Sequence, residues 1–377
     1  MAGLYIHIPF CKQACYYCDF HFSTDQRFRS DLISAVAKEI ELQKTYLSNE
    51  PIQTIYFGGG TPSLCTQDEI ALILKTIHST FPVSEFSEIT LEANPDDLNK
   101  EKLAGLREIG INRLSIGVQS FDDNVLRFLN RAHSSLHATD CLVHARAAGF
   151  DNISLDLIYA IPDQDMRLWE KNVQHAISFS PEHISCYSLT VEEKTVFGTL
   201  QKKGKFPLIS DDVSAEQFEV LMEIMTREGY DHYEISNFSK PGYHSRHNSS
   251  YWQQEKYLGI GPSAHSYNGT SRQANVRSNA NYVRSIQRDE IPFEREELTR
   301  ANKINEYILT TLRTSWGCNL EKLKSDWQFD LYHEKAHYLS SLVDKEYAFI
   351  DEGILKLTRK GRLLADKIAA DLFSPEE

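Results

Sequence analysis

Three of the chain's seven cysteines, Cys11, Cys15 and Cys18, stand in a C-x3-C-x2-C spacing directly after the apolar run Leu4-Tyr5-Ile6-His7-Ile8. Thiolates this close on one loop can wrap a metal centre, and soft sulfur donors favour zinc, Cu(I) or an iron–sulfur cluster. Structural zinc takes four donors, usually from two paired hooks. No second hook follows, and His21, three residues beyond Cys18 past an Asp and a Phe, is a weak fourth donor. Three thiolates suit a four-iron cluster with one iron left open for chemistry. The other cysteines, Cys65, Cys141, Cys186 and Cys318, are scattered singly and read as core thiols. An odd number of mostly unpaired cysteines suits a reducing cytoplasm.

A second set of candidates closes successive apolar runs: Gly58-Gly59-Gly60-Thr61-Pro62, then Glu92-Ala93-Asn94-Pro95, then Gly117-Val118-Gln119-Ser120-Phe121, with Asp156-Leu157-Ile158-Tyr159 inside the next. Three glycines in a row let the backbone approach a ligand, or make a tight turn. An acid or amide at three strand ends is unexpected in a core, where an unpaired charge is costly. Taken singly, Glu92 or Asp156 could equally cap a helix or form an ion pair. Together they suit a zwitterionic ligand carrying a ribose: carboxylates for ammonium and hydroxyls, an arginine for the carboxylate.

These residues need a scaffold that brings strand ends together. From Leu4 to about Thr190, strand-like runs at 4–8, 52–57, 88–92, 113–118, 152–158 and 182–189 alternate with helical stretches. The first helical stretch carries Phe28, Leu32, Val36 and Ile40 at i, i+4 spacing; others span 67–79, 99–109, 122–130, 136–148 and 168–177. Gly110 and Gly149 are placed to end two of them. Six strand–helix units predict an α/β fold with a parallel sheet, as a partial barrel or a doubly wound sheet, and ligand residues gather where such strands finish.

The segment from Pro9-Phe10-Cys11 to Cys18-Asp19-Phe20 resembles the cluster loop of the radical S-adenosylmethionine (SAM) superfamily, and Ile8-Pro9-Phe10-Cys11 resembles its coproporphyrinogen dehydrogenase-like branch, which contains HemN and HemW. The resemblance implies a radical SAM partial (β/α)6 barrel, with Cys11, Cys15 and Cys18 on a [4Fe-4S] cluster whose fourth iron chelates SAM. It implies further that Tyr5 and Tyr17 flank the cluster and sulfonium, that Gly59, Gly60 and Thr61 meet the methionine amine, and that Glu92 and Arg131 surround the methionine head. Gln119 and Asp156 would hold the ribose, with Thr190 near adenine. Arg131, in Asn130-Arg131-Ala132-His133, could otherwise be a solvated helix-end cation. His247-Asn248-x-x-Tyr251-Trp252 is similar to a motif of the HemW type and implies heme, with His247 as an axial ligand under large rings. The plain alternative is a hydrogen-bonded core histidine. His265, in the glycine-rich turn 259–266, is a weaker ligand candidate. HemN-type chains usually carry Cys-x-Cys where this one reads Cys18-Asp19-Phe20, and an extension ahead of the cluster strand; here few residues precede Tyr5. Both departures point to a heme chaperone serving apo-hemoproteins such as respiratory cytochromes, and leave productive SAM cleavage open. Oxygen-independent coproporphyrinogen III dehydrogenase is the alternative.

A formal charge of −13 argues against a general grip on nucleic acid. No signal peptide or bilayer-spanning run of ~20 apolar residues is expected, so the protein reads as cytoplasmic, with at most a transient membrane encounter and a homodimer left open. Three parts are expected: a core barrel at 1–200, an extension carrying the His-Asn-x-x-Tyr-Trp run at 201–295, and a winged-helix-like α+β module at 296–377. Within the extension, Lys202-Lys203-Gly204-Lys205 reads as a solvated loop, Ser210 caps a helix running to Arg227, and 230–238 is a strand. The last module has helices at 304–312, 320–326 and 332–343, a hairpin around Asp351-Glu352-Gly353, and a final helix after Thr358.

Overall fold

The computed structural model describes residues 2–207 and 209–375. Strands β1 (Ala2–Ile8), β2 (Ile52–Gly59), β3 (Val83–Ala93), β4 (Arg113–Gln119), β5 (Ile153–Tyr159) and β6 (His183–Ser188) pair in parallel, each with the next in chain order. A doubly wound sheet reverses its strand order at a switch point; this one never does, so the partial barrel is the correct choice between the two expectations. The strands are almost continuously apolar and buried, as a sheet covered on both faces requires. Local chemistry sets the intervening helices. Thr66 and Glu69 form a reciprocal capping box at Gln67–Thr80. Gly110, at φ +99°, takes the left-handed turn after Lys100–Glu108.

The sheet continues past the six-strand unit on both sides. A hairpin of β7 (Asp231–Glu234) and β8 (Asn237–Ser239) joins β6 through β8. On the other side β9 (Lys256–Ile260) runs parallel to β1, followed by antiparallel β10 (His265–Tyr267), β11 (Ser271–Asn275) and β12 (Phe293–Glu297). Buried Glu39, in helix Arg29–Leu42, fastens this added sheet to the barrel. Its carboxylate accepts from Gly261 N–H at 2.8 Å, Asn275 Nδ2 at 2.7 Å and the Tyr282 hydroxyl at 2.5 Å.

Several expectations need correction. The single strand at 230–238 is two, turning at Ile235-Ser236. Phe28 is exposed and precedes its helix, so the buried stripe starts at Leu32. Helices Val196–Lys202 and Arg246–Trp252 were not anticipated, and the one at 332–343 breaks at Lys335. In the last module, helices Arg300–Leu312, Leu320–Trp327 and Ala336–Asp344 pack with a three-stranded antiparallel sheet (Cys318–Asn319, Ile354–Leu357, Ala348–Asp351) around a core that includes Ile308, Leu323 and Leu355. That arrangement is winged-helix-like. No helix among the described residues is long and apolar enough to cross a membrane.

Candidate cluster and cofactor site at the strand ends

The three cysteines occupy the loop that leaves β1. Hydrogen bonds from Ser23 N–H to Pro9 O at 2.7 Å and from Cys11 N–H to Ser23 O at 3.1 Å close its base, and Tyr16 N–H reaches Leu129 O at 3.2 Å. All three thiols are partly exposed, whereas Cys65, Cys141, Cys186 and Cys318 are buried. Burial raises the pKa of Cys11, and that of Cys18 to about 11. Among the described residues no three Cys, His, Asp or Glu side chains converge closely enough to hold one metal ion. A mononuclear zinc, whose sulfur donors all lie about 2.3 Å from one point, is therefore not what the loop presents.

A hydrogen-bonded arc joins two of the thiols across the barrel mouth. Thr61 Oγ1 donates to Cys11 Sγ at 3.4 Å and accepts from Asn94 Nδ2 at 3.4 Å. Asn94 Oδ1 accepts from Arg131 Nη2 at 2.6 Å, and Arg131 Nη1 donates to Cys15 Sγ at 3.3 Å and to the Tyr17 hydroxyl at 3.4 Å. Arg131 is thus not a solvated helix-end cation. Its Nε is buried without a partner, leaving one donor N–H to spare. Asn94 had been noted only as part of a strand-end motif; that it bridges the arc depends on strands far apart in sequence.

The glycine run supplies the second wall. Gly59 has φ +107° and donates its N–H to Glu92 Oε2 at 3.2 Å, while the Tyr56 hydroxyl donates to Glu92 Oε1 at 2.8 Å. A Cβ at Gly60 would come within 2.7 Å of Phe10 O, so only glycine lets this turn press against the cluster loop. Over bare Gly117, Gln119 Nε2 and Arg131 Nη2 lie 3.0 and 3.2 Å from where a Cβ would be. Gln119 itself takes a left-handed φ of +65°. Burial pushes the Glu92 carboxyl up to about 7 and Asp156 up to about 6; each also feels buried Arg113 on β4, a cation the sequence reading passed over. Thr190 is exposed just past β6. This donor set fits the implied groups: three accessible thiols, an arginine with an unused N–H, bare glycine backbone, and carboxyls kept in reserve by burial.

Two other predicted residues sit elsewhere than expected. Tyr5 lies between Tyr56 and His247, with ring centroids 6.1 and 6.4 Å away, and its hydroxyl shares a 3.3 Å hydrogen bond with His7 Nδ1. His247 is 1% exposed and both its ring nitrogens are engaged, Nδ1 with Thr54 Oγ1 at 2.8 Å and Nε2 with the Tyr251 hydroxyl at 2.8 Å. Burial, then Arg113, holds its pKa down near 3. In this geometry it presents no free nitrogen to iron. Next to it lies a cavity of about 580 Å³ whose lining includes Tyr5, Asp19, Phe20, Tyr251, Trp252 and His265.

The radical SAM superfamily profile matches residues 5–176. The heme chaperone HemW of Bacillus subtilis (strain 168) is 36% identical over 98% of both chains. The chain belongs to the HemW family of the radical SAM superfamily. HemW of Lactococcus lactis is 32% identical over 97% of this chain and 95% of that protein, and the mitochondrial radical S-adenosyl methionine domain-containing protein 1 of Danio rerio is 30% identical over 97% and 86%. Among solved structures, Escherichia coli coproporphyrinogen III oxidase (HemN) superposes with a TM-score of 0.86 over 99% of this chain and 90% of that one; at 24% identity this likeness concerns the fold. Radical SAM membership implies a [4Fe-4S] cluster and SAM.

Proposed function

We propose that this HemW-family protein is a heme chaperone. It takes up heme and delivers it to apo-hemoproteins such as respiratory cytochromes, while carrying a [4Fe-4S] cluster and SAM. The observation that carries the reading is the placement of an aromatic cavity against Asp19-Phe20, the continuation of the cluster loop after Cys18. In this reading Cys11, Cys15 and Cys18 hold the cluster, which when bound supplies an electron-transfer centre and an open iron for SAM. The chain's own groups do the positioning. Gly59 and Gly60 bring backbone to the methionine amine beside Thr61, Glu92 meets the ammonium, and Arg131 meets the carboxylate while steadying Cys15. Gln119 and Asp156 take the ribose, and Tyr17 covers the sulfonium side. Parts 1–200, 201–295 and 296–377 are taken as barrel, extension and docking module. The reading places the protein in the cytoplasm, with at most passing contact with the membrane that houses its recipients.

The test is anaerobic reconstitution with iron and sulfide, followed by titration with hemin and mixing with an apo-cytochrome b. Uptake of about one hemin and its transfer to the acceptor are expected, with cluster absorbance lost in Cys15→Ala. Decarboxylation of coproporphyrinogen III by the reconstituted protein with SAM and a reductant would refute the chaperone reading in favour of the dehydrogenase.

A further inference from the structure

The cavity beside the cluster loop has a volume within the range of small-molecule sites. One side is a column of rings: Tyr251 lies 4.5 Å from Tyr257, and Tyr257 lies 6.4 Å from Tyr267, centroid to centroid. Trp252, also in the lining, has a buried indole N–H with no partner. Three histidines reach the cavity. Both ring nitrogens of His7 are engaged, with His21 O at 3.0 Å and the Tyr5 hydroxyl at 3.3 Å. His21 Nε2 shares a 2.8 Å bond with Asn279 Oδ1. His265, at the start of β10, differs: its ring is exposed and makes no hydrogen bond to any described residue.

The backbone holds His265 in place. A Cβ at Gly259 would come within 2.1 Å of His265 O, and one at Gly261 within 2.5 Å of His7 O. Ser266, the next residue, is buried, and its hydroxyl accepts from Gly259 N–H at 2.9 Å. The glycine-rich turn thus presses β10 onto β9 and β1 and directs the alternate residues His265 and Tyr267 to the cavity. Two arginines complete the rim. Arg272 pairs with Glu306 at 2.8 Å, and Arg277 donates to Asp19 O at 3.3 Å with no carboxylate partner among the described residues. Partial burial and these two cations lower the His265 pKa, which favours the neutral imidazole.

Resting on the chaperone reading, we infer that this cavity is the heme site, with His265 as the axial nitrogen ligand and Arg277 and Arg272 receiving the propionates. A flat, apolar macrocycle with an open axial position and two carboxylates at one edge matches a ring-lined cavity, a free imidazole and a basic rim. His247 is then a positioning residue: it holds the Tyr251 hydroxyl and so fixes the ring that lines the cavity.

The experiment titrates the reconstituted full-length protein with hemin and records the ferric heme spectrum by absorbance, magnetic circular dichroism and electron paramagnetic resonance. Wild type is expected to bind one equivalent with a nitrogen-ligand signature. His265→Ala, at an exposed position, is expected to keep its circular dichroism, lose that signature, bind at least tenfold more weakly, and recover the signature on addition of imidazole. Arg277→Ala with Arg272→Ala should weaken hemin binding while leaving binding of hemin dimethyl ester unchanged. His247→Gln should retain nitrogen ligation. An unaltered nitrogen signature in His265→Ala, or its loss in folded His247→Gln alone, would overturn this site while leaving the chaperone reading intact. Failure of the wild type to take up hemin would instead remove the reading itself.

Discussion

Glu92 lies between a phenol and a backbone amide at the end of a buried strand, an environment that pushes its carboxyl up to about 7. An ordinary glutamate titrates near 4.3, so the folded chain retains a proton that the unfolded chain has released. The stability this contributes is complete below about 4.3 and is lost as pH rises through about 7; Asp156, raised to about 6, acts in the same direction. Without SAM or cluster, the protein is expected to melt at progressively lower temperature across that window. Glu92→Gln should flatten the decline and melt higher at pH 8, because it removes a buried charge. The same substitution is expected to weaken SAM binding about tenfold, since a hydrogen bond to a charged group contributes ~1.5–3 kcal/mol; calorimetric titration checks this. Equal stability of the two proteins at pH 8 would show that the carboxylate is not strained. Asn94 acts differently, by aligning donors to two sulfurs. Asn94→Leu preserves approximate volume but breaks the arc, and outer residues of this kind typically change metal affinity 10–100-fold. Cluster loss to a chelator, followed by visible absorbance, should quicken about tenfold, with all three cysteines still in place.

At the level of elements, the turn after β2 is the least forgiving. A methyl group at Gly60 would meet Phe10 O, Phe10 N and Ile8 O at 2.7–2.9 Å, all backbone atoms that cannot rotate away. Gly60→Ala is therefore expected to cost about 1–3 kcal/mol, the usual penalty of overpacking, and to lower iron incorporation, because the displaced atoms belong to the cluster loop. Urea denaturation and iron content report the two effects separately. The same contrast between local and distant determinants explains what could be read from sequence. The six barrel strands and their helices were legible because each is a long apolar run with its own caps, as at Thr66 and Gly110. Strands β7 to β12 were not, since they are short and polar; β12 is exposed along its whole length and owes its conformation to β11. Helix Val196–Lys202 was hidden by Gly198, an apparent breaker that is needed because a Cβ there would meet Glu192 O at 2.1 Å. The thiols and glycines announced themselves through spacing. Asn94 and Arg113 could not, because their roles arise only when different strands meet.

The whole molecule depends on how the last module closes against the sheet. Helix Arg300–Leu312 contributes Glu306 and Thr310 to the cavity wall, so module and cavity form one structure. Arg313 is the joint. Its Nε donates to Glu234 Oε1 at 3.0 Å, its Nη1 to Asp366 at 2.6 Å, and its guanidinium lies 5.7 Å from the centre of the Trp252 ring that faces the cavity. Glu234 is 1% exposed; besides Arg313 it is held by Ser236 N–H at 2.9 Å and Asn237 Nδ2 at 2.5 Å. Removing one partner of a buried ion pair costs roughly 3–5 kcal/mol because the other charge stays desolvated. With two neutral donors still on Glu234 and Arg313 itself partly exposed, Arg313→Ala should fall at the lower end of that range. Adding Glu234→Gln should restore part of the loss, since no bare carboxylate then remains. Trp252 would also lose the cation above its ring, so hemin affinity should fall along with stability in Arg313→Ala. Limited proteolysis between barrel and module, run beside urea denaturation, separates undocking from global unfolding. Protection equal to wild type, with stability unchanged, would mean that apolar packing alone holds the module in place.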